Sequence, residues 1–107
     1  EERRQREAER EAKEHARRER ELAAARAKYL DGLAKREDTV WRQTEALINT
    51  KQPKNYGLAL DLLKDLRDLG ARTGKDDAFA AALRSLRDRH ARKPSFVQRL
   101  AKEGLVA

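Results

Sequence analysis

The chain has 107 residues, a net charge of +7, and 42% charged against 38% apolar side chains, too little core material for more than one small domain. It contains no cysteine, which excludes disulfides, thiol catalysis and any cysteine-ligated zinc within these residues. No apolar run approaches the ~18–20 residues of a membrane-spanning helix and no signal peptide opens the chain. The lack of methionine, initiator included, is read as the mark of a piece excised or processed from a longer protein.

Residues 1–28, EERRQREAEREAKEHARRERELAAARAK, hold no Gly, Pro or β-branched residue and a single large aliphatic, Leu22. Helix is expected there on propensity alone. Pairs four apart, such as Arg3–Glu7, Glu9–Lys13 and Glu14–Arg18, add a few tenths of a kcal/mol each. A seven-residue recurrence links Ala8, His15, Leu22 and Tyr29, but Glu19 and Arg26 fall in the same seam. The main expectation is thus a solvated single helix. A partner-assisted coiled coil, through which the chain would oligomerise, and disorder are the alternatives.

Residues 29–107 hold nearly all the large apolar side chains and read as a second, compact part, an all-α helical domain. Leu30, Leu33, Val40, Trp41, Leu47 and Ile48 recur at helical spacing, and this stretch either continues the first helix or starts afresh at a cap on Asp38 or Thr39. Pro53 stops it. A helix over about 55–69 follows, with Tyr56, Leu58, Leu60, Leu62, Leu63, Leu66 and Leu69 spread over a wide arc, as in a central helix with neighbours on two sides. Gly70 and Gly74 bracket a short connection. Asp76 or Asp77 then caps a helix with Phe79, Leu83, Leu86 and His90 on one face. Lys93-Pro94 opens a last short helix with Phe96, Val97 and Leu100 inward, and Gly104-Leu105 suits a left-handed cap. No strand alternation competes. The expected fold is all-α, a long charged N-terminal helix followed by a small antiparallel bundle of hairpins like tetratricopeptide repeats.

The residues Trp41, Leu47-Ile48, Tyr56, Leu62-Leu63-Lys-Asp-Leu-Arg-Asp-Leu69, Phe79, Leu83, Leu86-Arg-Asp-Arg-His90, Arg92-Lys-Pro94, Arg99-Leu100 and Gly104-Leu105 resemble the helical C-terminal region of bacterial, especially actinobacterial, SWIM zinc-finger proteins. The similarity covers about residues 29–105 and consists of helix-packing positions. The family's C-x-C-x-n-C-x-H motif is absent from this cysteine-free chain. The resemblance therefore implies an appended helical domain in a bacterial cytoplasm, with the finger, a DNA-binding or protein-interaction module, lying upstream. It places no functional residue within these positions.

Candidate sites are few. His90 ends an apolar stripe and has no His partner at ligand spacing, so it is expected to be structural. Trp41 and Tyr56 stand at core spacing as packing anchors. Asp61, Asp65 and Asp68 lie along one helix side, but each has Lys64, Arg67 or Arg72 nearby and no second carboxylate helix faces them. No phosphate loop, nucleophile elbow or H-E-x-x-H occurs, so no catalytic residue, metal or cofactor is expected.

The remaining signal is basic. Arg84, Arg87, Arg89, Arg92, Lys93, Arg99 and Lys102 cluster near the C-terminus, and with a pI near 10.0 such a cluster attracts anions. It lacks the interleaved aromatics of single-strand binders and an aligned recognition helix. A non-enzymatic protein-interaction or scaffold domain of a larger protein is the first expectation. Sequence-tolerant nucleic-acid binding through these seven residues is the second.

Overall fold

The computed structural model describes residues 2–106, which form five helices and, among them, no strand. They are α1 (Glu2–Ala34), α2 (Glu37–Asn49), α3 (Pro53–Thr73), α4 (Asp76–Arg89) and α5 (Pro94–Lys102). The all-α expectation, with a long N-terminal helix before a small bundle, is what the structure shows. The chain divides into two compact units, the first ending at Gly32 and the second starting at Leu33.

In the first unit, α1 is solvated along most of its length, and Leu22 stands 72% exposed. Its helix is reinforced by local ion pairs: Arg17 with Glu14, Arg17 with Glu21 at 3.6 Å, Arg18 with Glu14 at 4.0 Å, and His15 with Glu19 at 3.7 Å. These are exposed pairs spaced three or four apart, worth a few tenths of a kcal/mol each.

The second unit buries Leu33, Val40, Ile48, Ala59, Leu60, Leu63, Leu66, Leu69, Leu83, Leu86, Phe96, Leu100 and Leu105. The helix does not run unbroken into the Val40 stretch. It ends at Ala34, and Arg36, not Asp38 or Thr39, is the residue before α2. Glu37 and Asp38 lie inside the first turn of α2, where their charge complements the helix dipole without a side-chain cap. Buried Thr44 is satisfied within α2, its hydroxyl donating to the Val40 carbonyl at 2.8 Å, a bond that lets a polar side chain sit in the core.

Helix α3 packs against both α2 and α4, as its wide apolar arc predicts, with two corrections. Leu58 is 47% exposed rather than core, because the buried positions Tyr56, Ala59, Leu60, Leu63 and Leu66 turn it to the outside. Gly70 is not in a connection: α3 continues through it to Thr73. A Cβ at Gly70 would stand 3.3 Å from the Lys75 carbonyl oxygen and 3.3 Å from Phe79 Cβ, so the missing side chain is what lets the start of α4 approach. The true stop is Gly74, at φ 70°, a left-handed conformation that costs other residues about 1 kcal/mol. Gly74→Ala should therefore lower stability by about 1 kcal/mol in urea unfolding, and an unchanged midpoint would show that the turn relaxes.

Neither Asp76 nor Asp77 caps α4; Lys75 precedes it and both aspartates occupy its first turn. The end of α5 is as expected. Gly104 has φ 73°, its N–H donates to the Ala101 carbonyl at 3.1 Å, and the Leu105 N–H donates to Leu100 at 2.9 Å. With Leu105 buried, this is a complete Schellman closure with its hydrophobic contact.

Candidate functional site

Three helices bring polar side chains together around His90, which is 4% exposed. It follows the last residue of α4, and its N–H donates to Leu86 at 3.1 Å. On one side, Glu45 of α2 places Oε2 2.5 Å from His90 Nε2. On the other, Lys93 before α5 places Nζ 2.8 Å from His90 Nδ1. An ammonium only donates and a carboxylate only accepts, so these partners assign the neutral imidazole with its proton on Nε2.

Glu45 also binds Arg89, whose Nε donates to Oε1 at 2.7 Å and whose second terminal nitrogen reaches the same oxygen. Arg89 in turn donates to the Ser85 hydroxyl at 2.6 Å. Partial burial alone would raise the Glu45 carboxyl, but the hydrogen bonds from His90 and Arg89, and the charge of Arg89, outweigh it and hold the carboxyl below its ordinary range. Below the imidazole, Phe96 meets the His90 ring edge-on at 6.1 Å between centroids and the Tyr56 ring at 5.4 Å.

A carboxylate beside an imidazole is the beginning of acid–base machinery. Here both ring nitrogens are taken, one by Glu45 and one by Lys93, and the ring is buried, so no nitrogen faces a substrate. What the cluster does is tie α2, the end of α4 and the entry to α5 to one another. Among the described residues no group of three His, Cys, Asp or Glu is arranged to hold a metal. Asp68 is bonded by the neighbouring Arg67 at 3.3 Å.

The seven basic residues expected from the sequence part into two sets. Arg89 and Lys93 belong to the His90 cluster. Arg99 donates to the Pro53 carbonyl at 2.8 Å and lies 5.9 Å over the Tyr56 ring, fastening α5 to the start of α3. Arg84 and Arg92 are exposed, Arg87 is half-buried, and none of the three has an ion pair among the described residues. Lys102 is exposed beside Glu103. Glu103 itself pairs with Lys64 at 2.6 Å, which lowers its carboxyl.

Two surface features went unread in the sequence. A groove of about 540 Å³ between α3 and α5 is lined by Lys54, Leu58, Asp61, Lys64, Arg99 and Lys102, among others. A smaller depression of about 310 Å³ is lined by Lys51, Tyr56, Arg92, Lys93, Pro94 and Ser95. Both lie between segments some forty residues apart in sequence, so no local pattern announces them.

The fold and site define a small all-α domain whose convergent polar side chains hold helices together. Compared with protein families, curated proteins and solved structures, the chain finds no match in any of the three. Among the described residues no helix is long and apolar enough to cross a membrane.

Proposed function

We propose that the chain is a non-enzymatic, protein-interaction or scaffold domain of a larger protein. One observation carries this reading: the groove between α3 and α5 exposes Leu58 to solvent, while the groups that would do chemistry, His90 and Glu45, are consumed in packing. A large apolar side chain in a groove lined by Lys54, Lys64, Arg99 and Lys102 and by Asp61 and Glu103 fits a protein partner with an apolar anchor and flanks of mixed charge in which acidic groups outnumber basic ones. The resemblance of residues 29–105 to the end of SWIM zinc-finger proteins supports the same role, as a helical domain appended to an upstream finger in a bacterial cytoplasm. Oligomerisation through α1 belongs to this reading too.

The test is paired capture with quantitative mass spectrometry, using the full-length protein and its Leu58→Asp variant. A partner enriched by the wild type and lost from the variant, with helical circular dichroism unchanged, is the expected result. Equal capture by both would remove the groove from the function.

A second reading has its own support. Arg84, Arg87 and Arg92 are free of ion pairs among the described residues, so their charge is available to phosphates and their binding would fall steeply with salt. Changing these three to Glu should abolish a salt-sensitive mobility shift, whereas Arg89, Lys93 and Arg99 would report on folding instead. No shift by the wild type at low salt ends this reading.

A further inference from the structure

The depression at the entry to α5 combines features that the first reading does not use and of which the second uses only Arg92. Its lining holds three cations, Lys51, Arg92 and Lys93, and no carboxylate. Lys51 and Arg92 are exposed, and Lys93 is half-buried, with one of its three ammonium donors on His90. Helix α5 opens here: Pro94 at its first position has no N–H, and Lys93 supplies no side-chain cap. The first-turn amides of Ser95 and Phe96 therefore point their donors and the positive end of the helix toward this place.

Tyr56 adds a free donor to the lining. It is 95% buried by its 5% residual exposure, its ring clasped by Phe96 and Arg99, yet its hydroxyl makes no hydrogen bond within the described residues. Among the described residues no buried side-chain polar atom is left without a partner, so that hydroxyl is open to solvent, and Tyr56 is one of the residues that line the depression. A buried tyrosine normally spends its O–H on a protein partner. Here the O–H faces solvent and is free to donate to an anion.

Lys51 stands in a strained backbone conformation. It stands two residues beyond α2 at φ 59°, a left-handed conformation uncommon outside glycine, and its N–H donates to the Ile48 carbonyl at 3.1 Å. Thr50 beside it accepts from Asn55 at 3.0 Å and donates to Leu47 at 2.7 Å. A glycine would do the conformational work with less strain, but would contribute no cation.

We propose that this depression binds a phosphate monoester dianion through Lys51, Arg92, Lys93, the Ser95 and Phe96 amides and the Tyr56 hydroxyl. Several cations, two helix-terminal amides and a hydroxyl match a group with three oxygens and nearly two charges. A diester of nucleic acid offers one charge and two free oxygens to the same set. The site shares Arg92 with the nucleic-acid reading, and the probes below separate the two.

The experiment is a titration of the isotope-labelled full chain followed by amide NMR, with O-phosphoserine, inorganic phosphate and an oligothymidylate without terminal phosphates as separate probes. O-phosphoserine should shift the amides of Lys51, Ser95 and Phe96 saturably, and binding should weaken as pH falls through about 6, where the dianion gains a proton. Arg92→Gln should weaken it about tenfold or more, the scale of a lost charged hydrogen bond. Tyr56→Phe keeps the ring packing and should weaken it several-fold. Lys51→Gly relieves the left-handed strain, so its expected loss of binding comes with a fold at least as stable as the wild type. Binding of O-phosphoserine at least as tight as that of phosphate assigns the site to phosphorylated side chains, and binding of phosphate alone assigns it to the free ion. The proposal is overturned by the absence of saturable shifts, by shifts that these variants leave untouched, or by an oligothymidylate that moves the same amides as strongly as O-phosphoserine.

Discussion

Phe96→Ala should cost about 3–5 kcal/mol in urea unfolding monitored by circular dichroism, the range for removing a fully buried aromatic. The ring is wholly buried and serves two partners at once, Tyr56 of α3 and His90 at the end of α4. Its removal opens a cavity at the junction of three elements, where α5 has only nine residues with which to close it. Domains of this size have a total stability of about 5–15 kcal/mol, so the variant should be partly unfolded near body temperature. Phe96→Leu, which keeps most of the volume, should lose clearly less. A loss below about 1 kcal/mol for the alanine variant would show that α5 is a loosely attached end rather than part of the core.

The helices themselves were legible because their signals are local. The spacing of Leu60, Leu63 and Leu66, the proline at the head of α5 and the Gly104-Leu105 closure each carry their meaning within a turn or two of chain. Boundaries were legible only where residue chemistry forces them. Pro53, expected to stop the preceding helix, and Pro94, expected to open the last one, stand at the first positions of α3 and α5. Gly70 misled, because glycine inside a helix and glycine ending one look alike until a neighbour such as Phe79 is known to press on it. Asp38, Asp76 and Asp77 misled in the same way, since an acidic residue favours both the cap and the first turn.

The candidate sites were less legible, for a reason of distance. The basic residues near the C-terminus could be counted, but which of them were already engaged depends on Glu45, Pro53 and Tyr56, far away in sequence. Glu45 passed unnoticed as one more charge, though it sits four residues after Trp41 and one after buried Thr44, on the flank of the stripe that α2 buries. A histidine at the end of an apolar face was the available signal. A buried imidazole needs partners for both nitrogens, and at least one of them must come from another helix.

The second large effect concerns that missed carboxylate. Glu45→Ala should destabilise the domain by about 1–3 kcal/mol at neutral pH, because the buried His90 Nε2–H is left with no acceptor. The Arg89 contact adds little to this, since Arg89 is half exposed and water screens it. Glu45→Gln retains an oxygen for the imidazole and should cost less. Leu at 45 combined with Phe at 90 removes donor and acceptor together, and should recover stability relative to Glu45→Ala, since neither group then remains unpaired. The wild type carries a pH signature that the glutamine variant lacks. Its folded carboxyl lies below the ordinary 4.5, so between the two values the unfolded chain binds more protons and stability rises with pH. The Glu45 contribution is complete above the ordinary value and disappears as pH falls through the lowered one. The stability difference between wild type and Glu45→Gln, measured by urea unfolding from neutral pH into acid, should stay flat and then shrink below about pH 4.5. A difference that grows on acidification would mean that the carboxylate is held against its surroundings, and would contradict the role of Glu45 as the acceptor that binds α2 to the end of α4.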